Sequence, residues 1–184
     1  MQYDEILYSV TDGMAVIRLN SPERLNALTS QMRAEITHAV KRAQSEARVL
    51  VLTGAGRAFC SGQDLGATPD VNDLDLERLL REEYRPMIEA ISQSRIPTVA
   101  AVNGPAAGAG ANLALAADVV IAAENAYFLQ AFARIGLIPD AGGTGALPKN
   151  MGLAKAMGAA LFGEKISAKE YCFSPCPSSS FSYI

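Results

Sequence analysis

The sequence is poor in the residues that build metal centres and disulfide cages. His38 is the single histidine, and Cys60, Cys172 and Cys176 are the three cysteines. One histidine excludes a multi-histidine metal centre and leaves a Ser-His-Asp triad with a single candidate base. Three cysteines do not make a disulfide framework. Positive charge is not in excess either: 16 Lys and Arg stand against 19 Asp and Glu, for a net charge of −3. Such a chain has no reserve of cations for neutralising phosphates, which excludes a general nucleic-acid binder. A long apolar run is also missing. The most apolar stretch, 106–123, is rich in Ala and Gly and is interrupted by Asn112 and Asp118, too weak for a membrane span. The first residues, Met1-Gln2-Tyr3-Asp4-Glu5, are acidic where a secretory signal is basic. The expectation is a soluble cytoplasmic protein with no membrane and no nucleic-acid partner.

What is present is the material of one α/β domain. The 184 residues, 49% hydrophobic and 19% charged, suffice for a single core and argue against disorder. Two β-type runs, 6–10 and 14–19, flank Thr11-Asp12-Gly13, a hairpin signal. Met32, Ile36, Val40 and Ala43 recur at helical spacing and predict an amphipathic helix over 30–47. The apolar run 49–52 predicts a buried strand. After an acidic loop over 70–75, Leu76, Leu79, Leu80, Met87, Ile88 and Ile91 mark one further helix closed by Pro97, with Arg78, Arg81, Glu82 and Glu83 on its solvated face. Strands at 98–102 and 119–122 flank a helix over 108–117. From Tyr171 the sequence reads YCFSPCPSSSFSYI, with five serines, two prolines, four aromatics and no charge. The domain is therefore expected to occupy 1–170, with 171–184 a foreign or disordered tail beginning inside a helix that starts at Ser167.

Two glycine pairs invite a search for phosphate loops. Gly54-Ala55-Gly56 and Gly108-Ala109-Gly110 lack the third glycine of a dinucleotide fingerprint, and no Gly-Lys-Ser/Thr loop exists. Each pair follows a predicted strand, and the second opens a helix, where backbone N–H groups lack internal acceptors. Two such donors from different loops would make an oxyanion hole for charge developing on a carbonyl oxygen.

Four sequence blocks carry a resemblance. Ala58-Phe59-Cys60-Ser61-Gly62-Gln63-Asp64-Leu65 resembles the first oxyanion-loop motif of the enoyl-CoA hydratase/isomerase (crotonase) superfamily. Ala101-Val102-Asn103-Gly104-Pro105-Ala106-Ala107-Gly108-Ala109-Gly110 resembles its second, and Gly136-Leu137-Ile138-Pro139-Asp140-Ala141-Gly142-Gly143-Thr144 its third block. Ser21-Pro22-Glu23-Arg24-Leu25-Asn26-Ala27-Leu28 is similar to its CoA-contacting loop. The likeness implies a spiral of ββα units without the family's closing C-terminal helical region. It implies an oxyanion hole from the backbone N–H groups of Gln63 and Ala109. Arg24, Ala27, Ser61, Gly62, Asp64, Leu65, Gly108, Asn112 and Phe132 would contact the acyl-CoA thioester. No metal and no separate cofactor are implied, since coenzyme A enters with the substrate.

Family hydratases use two glutamates, and at the matching positions this chain has Asn112 and Phe132, neither of which transfers protons at neutral pH. The stretch 131–140 and the Gly62-Gln63-Asp64-Leu65 variant resemble the 1,2-epoxyphenylacetyl-CoA isomerase branch, where an aspartate at the place of Asp140 is the acid/base. Burial among Phe132, Leu137 and Ile138 would raise the Asp140 pKa. The leading expectation is thus an acyl-CoA isomerase. A hydratase-like enzyme and an inactive, truncated CoA-binding product are the alternatives. The resemblance implies homotrimers or dimers of trimers, which loss of the closing helices would undermine while uncovering an apolar surface. Residue by residue, a turn role competes for Asp140, a structural or capping role for Asp64, packing for Cys60 and plain exposure for His38. Cys172-x-x-x-Cys176 has no His or acidic partner beside it.

Overall fold

The computed structural model describes residues 2–66 and 75–171. Strands β1 (Ile6–Thr11) and β2 (Met14–Leu19) form the expected antiparallel hairpin. Its turn residues Asp12 and Gly13 have φ of 52° and 80°, the left-handed pair whose twist suits two-residue hairpins. Helix α1 (Ser30–Glu46) starts where the Thr29 side chain accepts a hydrogen bond from the Met32 N–H. It buries Met32, Ile36, Ala39, Val40 and Ala43. Strand β3 (Val49–Gly54) then runs parallel to β2.

A long helical stretch follows. It comprises α2 (Leu76–Leu79), one π-helical turn (Leu80–Tyr84) and α3 (Arg85–Ser92), instead of one regular helix reaching Pro97. Pro86 explains the widened turn. It has no N–H and its ring collides with the carbonyl four residues back, and the Arg85 N–H reaches back to the Leu80 carbonyl instead.

Strands β4 (Thr98–Val102), β5 (Ala106–Ala107), helix α4 (Ala109–Leu115), β6 (Val119–Ala122) and β7 (Tyr127–Leu129) come next. After them come α5 (Gly143–Met151), α6 (Leu153–Phe162), β8 (Lys165–Ser167) and α7 (Ala168–Tyr171). The main sheet has the order β1-β2-β3-β4-β6 and is parallel beyond the hairpin. A second, smaller sheet has the order β5-β7-β8 and is prolonged by the single parallel bridges Cys60↔Ala106 and Leu28↔Gln63. The chain therefore alternates: a strand in the main sheet, a short pairing in the small sheet, then a helix. This is the expected spiral of ββα units.

The helices and sheets share one core that includes Leu28, Phe59, Ala100, Leu113 and Phe128. Outside it, Leu153, Met157, Leu161 and Phe162 of α6 are exposed. Helix α7 opens at Ser167 with reciprocal hydrogen bonds to Glu170, so the expected helix start is present. Residues 172–184, with Cys172 and Cys176, and most of the acidic loop around Asp70 lie outside the described residues.

Candidate active site

The segment 21–28 is fastened before it presents anything. Leu25 and Asn26 take left-handed φ of 54° and 55°. The buried Asn26 amide donates to the Ala55 and Ala58 carbonyls, 2.9 Å each, and its Oδ1 accepts from the Ser21 N–H at 2.9 Å. Arg24, half exposed, reaches Asp64 at 2.8 Å and Glu5 at 3.1 Å. Asp64 also accepts from the Gly66 N–H; it braces its loop by an ion pair and a turn, and is not a helix cap. Ala27 is buried beneath the segment, while Ser61 and Leu65 are exposed along the adjoining loop. Ser61 donates its N–H to the Leu25 carbonyl, which ties the two segments together.

The Gln63 and Ala109 N–H groups, the expected donors, lie where two parallel-bridged segments part. At the bridge Cys60↔Ala106 the chains are joined, with the Ala107 N–H donating to the Cys60 carbonyl. Two residues on, Gly62 takes a φ of +95° and lies so close to the neighbouring segment that a Cβ there would stand 2.8 Å from the Ala107 carbonyl oxygen and 3.4 Å from the Ala109 nitrogen. Beyond this point Gly108, at φ +52°, turns its chain into α4. Gln63 remains paired with Leu28 through the Gly62 carbonyl and the Asp64 N–H. The N–H groups of Gln63 and Ala109 are donated to no described residue. The Phe132 ring covers Gly108, 3.7 Å from where its Cβ would be.

Asp140 occupies a turn rather than an open loop. Its carbonyl accepts from the Gly143 N–H at 2.7 Å and from Asn112 Nδ2 at 2.8 Å. Its Oδ1 is buried and has no hydrogen-bond partner among the described residues. The carboxyl borders a cavity of about 280 Å³ lined by Leu80, Tyr84, Ile88, Ala141 and Gly142 among others. Burial pushes its pKa up from 3.8 to about 6. The direction is as expected, but the neighbours differ. Ile138 is 76% exposed and lines no part of this cavity; the apolar wall comes from the helical stretch 76–92.

Asn112, expected to contact the substrate, has its side-chain amide engaged within the protein. It is buried, with its amide donated to the Asp140 carbonyl and its Oδ1 accepting from Gln130 Nε2 at 2.9 Å. Gly143 lies against it so closely that a Cβ would come within 2.4 Å of Nδ2. Asn112 therefore acts as a strut between α4, which begins with Ala109, and the Asp140 turn. Cys60 is a packing residue as expected. It is fully buried against Gly110, and burial pushes its thiol up to about 12.

Sequence reading missed the polar cluster behind Gln63. Arg33, buried in α1, donates to Gln63 Oε1 at 2.8 Å and pairs with Glu83 at 2.7 Å. Glu83, expected on a solvated face, is mostly buried in that pair. Burial holds the Tyr84 phenol well above its usual range, and its hydroxyl donates to Gln63 Oε1 at 2.7 Å. One signal was available: Arg33 stands three and seven residues before Ile36 and Val40, inside the apolar stripe of its helix. No group of three or more metal-ligating side chains occurs among the described residues, and no described helix is long and apolar enough to cross a membrane.

Comparison with known proteins bears on the family and the fold. The family model for enoyl-CoA hydratase/isomerase matches residues 9–172. A probable enoyl-CoA hydratase of Rhodobacter capsulatus is 61% identical over 170 residues, covering 92% of this chain and 66% of that protein. The 1,2-epoxyphenylacetyl-CoA isomerase of Escherichia coli K12 is 45% identical, covering 90% of this chain and 65% of that protein. Among solved structures, an enoyl-CoA hydratase of Bacillus anthracis superposes with a TM-score of 0.85 at 33% identity, over 91% of this chain and 66% of that one. The chain thus spans about two thirds of the length of the curated relatives it matches.

Proposed function

This chain belongs to the enoyl-CoA hydratase/isomerase family, and on that premise we propose that it isomerises acyl-CoA thioesters with Asp140 as the proton-transfer group. The observation that carries the reading is Asp140: its carboxyl is buried, has no partner at Oδ1 among the described residues and is shifted to about 6, and the residue borders a cavity large enough for an acyl chain. A carboxyl with that affinity can take and return a proton near neutral pH. Asp140 removes the proton α to the thioester, and the electron pair moves onto the thioester oxygen. The Gln63 and Ala109 N–H groups hold the resulting enolate oxygen. As the carbonyl re-forms, the proton returns at another carbon of the acyl group, so that a double bond migrates or a strained ring rearranges. Coenzyme A arrives as part of the substrate, and its exposed approach is past Arg24, Ser61 and Leu65.

The substrate class is an enoyl-CoA or a ring-1,2-epoxyphenylacetyl-CoA, the latter supported by likeness to the isomerase of Escherichia coli. Water addition is the second reading, favoured by the relative from Rhodobacter capsulatus. Against it stand Asn112 and Phe132, which supply no carboxylate to activate water. The test is Asp140→Asn assayed with both reactions. Isomerisation should fall by about a hundred-fold or more while CoA-ester binding stays near wild type. An unimpaired variant would refute the assignment, and hydration by the wild type without isomerisation would favour the second reading.

A further inference from the structure

We propose that Tyr84 and Arg33 are positioning residues for the Gln63 backbone donor, and that through them the acyl cavity is mechanically joined to the thioester end of the site. The inference rests on the reading of Gln63 as an oxyanion donor. The Gln63 side chain makes three hydrogen bonds. Its Oε1 accepts from Arg33 Nη1 at 2.8 Å and from the Tyr84 hydroxyl at 2.7 Å, and its Nε2 donates to the Asp64 carbonyl at 2.9 Å. Arg33 grips the strand opposite as well: Nη1 donates to the Leu28 carbonyl at 2.6 Å, the oxygen that also receives the Asp64 N–H across the bridge. The guanidinium thus clamps both members of the pairing that leaves the Gln63 N–H pointing away.

Every guanidinium donor of Arg33 is used. Nε and Nη2 reach the Glu83 carboxylate at 3.1 and 2.7 Å, Nη2 also reaches Ser30 Oγ, and the group stacks 4.6 Å above the Tyr84 ring. A side chain exposed by only 1% with this many partners is rigid. Glu83 and Tyr84 belong to the π-helical turn, and Leu80 and Tyr84 of that turn line the Asp140 cavity together with Ile88 of α3. One helical stretch therefore touches the acyl group on one side and holds Gln63 on the other. An acyl chain that fills the cavity keeps Tyr84 seated against Gln63, and one that displaces the Tyr84 ring loosens the donor. This makes Tyr84 a determinant of acyl specificity without a role in proton transfer.

Tyr84→Phe tests this, since it deletes one hydroxyl and keeps the ring that packs on Arg33 and lines the cavity. The probe is crotonyl-CoA labelled with carbon-13 at the thioester carbonyl, bound to the full chain and read by infrared difference spectroscopy. In the wild type the carbonyl stretch should fall to lower frequency on binding. In Tyr84→Phe it should move back toward the solution value. Turnover should drop about three- to ten-fold with KM nearly unchanged. Gln63→Met should show the same loss and should abolish any further effect of Tyr84→Phe, because both act through one side chain. If Tyr84→Phe does not fold, Gln63→Met carries the spectroscopic test alone. A full wild-type shift retained in these variants, or effects that simply add, overturns the inference and leaves the oxyanion donors standing. No shift in the wild type refutes the donors and this inference together.

Discussion

Asp140→Asn should make the protein more stable as well as less active, and only above a definite pH. The fold holds the Asp140 carboxyl at about 6 against an ordinary 3.8. Below about pH 4 the group is protonated in the folded and the unfolded chain alike, and its burial carries no charge penalty. As the pH rises from about 4 to about 6 the unfolded chain ionises while the folded chain still holds its proton on a carboxyl whose Oδ1 has no partner among the described residues. The folded state therefore loses stability across this window, and the full penalty is present by about pH 7. The difference between 3.8 and about 6 corresponds to about 3 kcal/mol. Residual solvent contact of the carboxyl reduces this to roughly 2 kcal/mol. Asparagine carries no such penalty. Urea unfolding of wild type and variant at about pH 4, 5 and 7 should show a gap in the variant's favour that widens with pH to about 2 kcal/mol. General acid effects on other carboxylates cancel in the difference. A gap that stays constant with pH, or that narrows on going alkaline, would refute the reasoning.

Two more outcomes follow from the packing. Asn112→Ala removes the donor to the Asp140 carbonyl and leaves Gln130 Nε2 unpaired. It should cost about 1–3 kcal/mol in thermal or urea melts and lower turnover by loosening the Asp140 turn. An unchanged melt and unchanged activity would show that the strut is dispensable. Met157→Glu, on the exposed apolar stripe of α6 with Leu153 and Leu161, should reduce concentration-dependent association in light scattering by several-fold and leave the melting point almost unchanged. Equal scattering by the variant would show that this stripe does not mediate association.

The parts of the fold that repeat with a period were legible from the residues. Met32, Ile36, Val40 and Ala43 announced α1, and the apolar run 98–102 became β4 residue for residue. The break inside 76–92 was not seen, although its cause, Pro86, stands in the sequence; apolar spacing survives a π-helical turn and hides it. At the site, the block resemblance pointed to Gln63, Ala109 and Asp140, and the fold brings their segments together through Tyr84 and Asn112. The cluster of Arg33, Glu83 and Tyr84 escaped because its members lie 50 and 51 residues apart from Arg33 and look like ordinary helix surface. Long-range polar pairing leaves no periodic trace. The partners of Asn112 were not legible for a related reason. A small amide in an alanine-rich helix gives no hint of whether it faces a ligand or a neighbouring turn.

The parting of two strands at Gly62 has a bearing on how such a protein can change. The proposed donors are main-chain atoms, so any residue except proline at 63 or 109 would still present an N–H. The N–H groups themselves thereby survive most substitutions at 63 and 109, and it is only their aim that depends on side chains, through the hydrogen bonds of Gln63 to Arg33 and Tyr84. The proton-moving half of the reaction depends on a side chain, and a carboxylate can be gained or lost at position 112, 132 or 140 by substitution alone. A chain built this way can exchange one proton-transfer chemistry for another while its affinity for thioester enolates persists. Relatives bearing the names of a hydratase and an isomerase on one fold are what such a division of labour would produce.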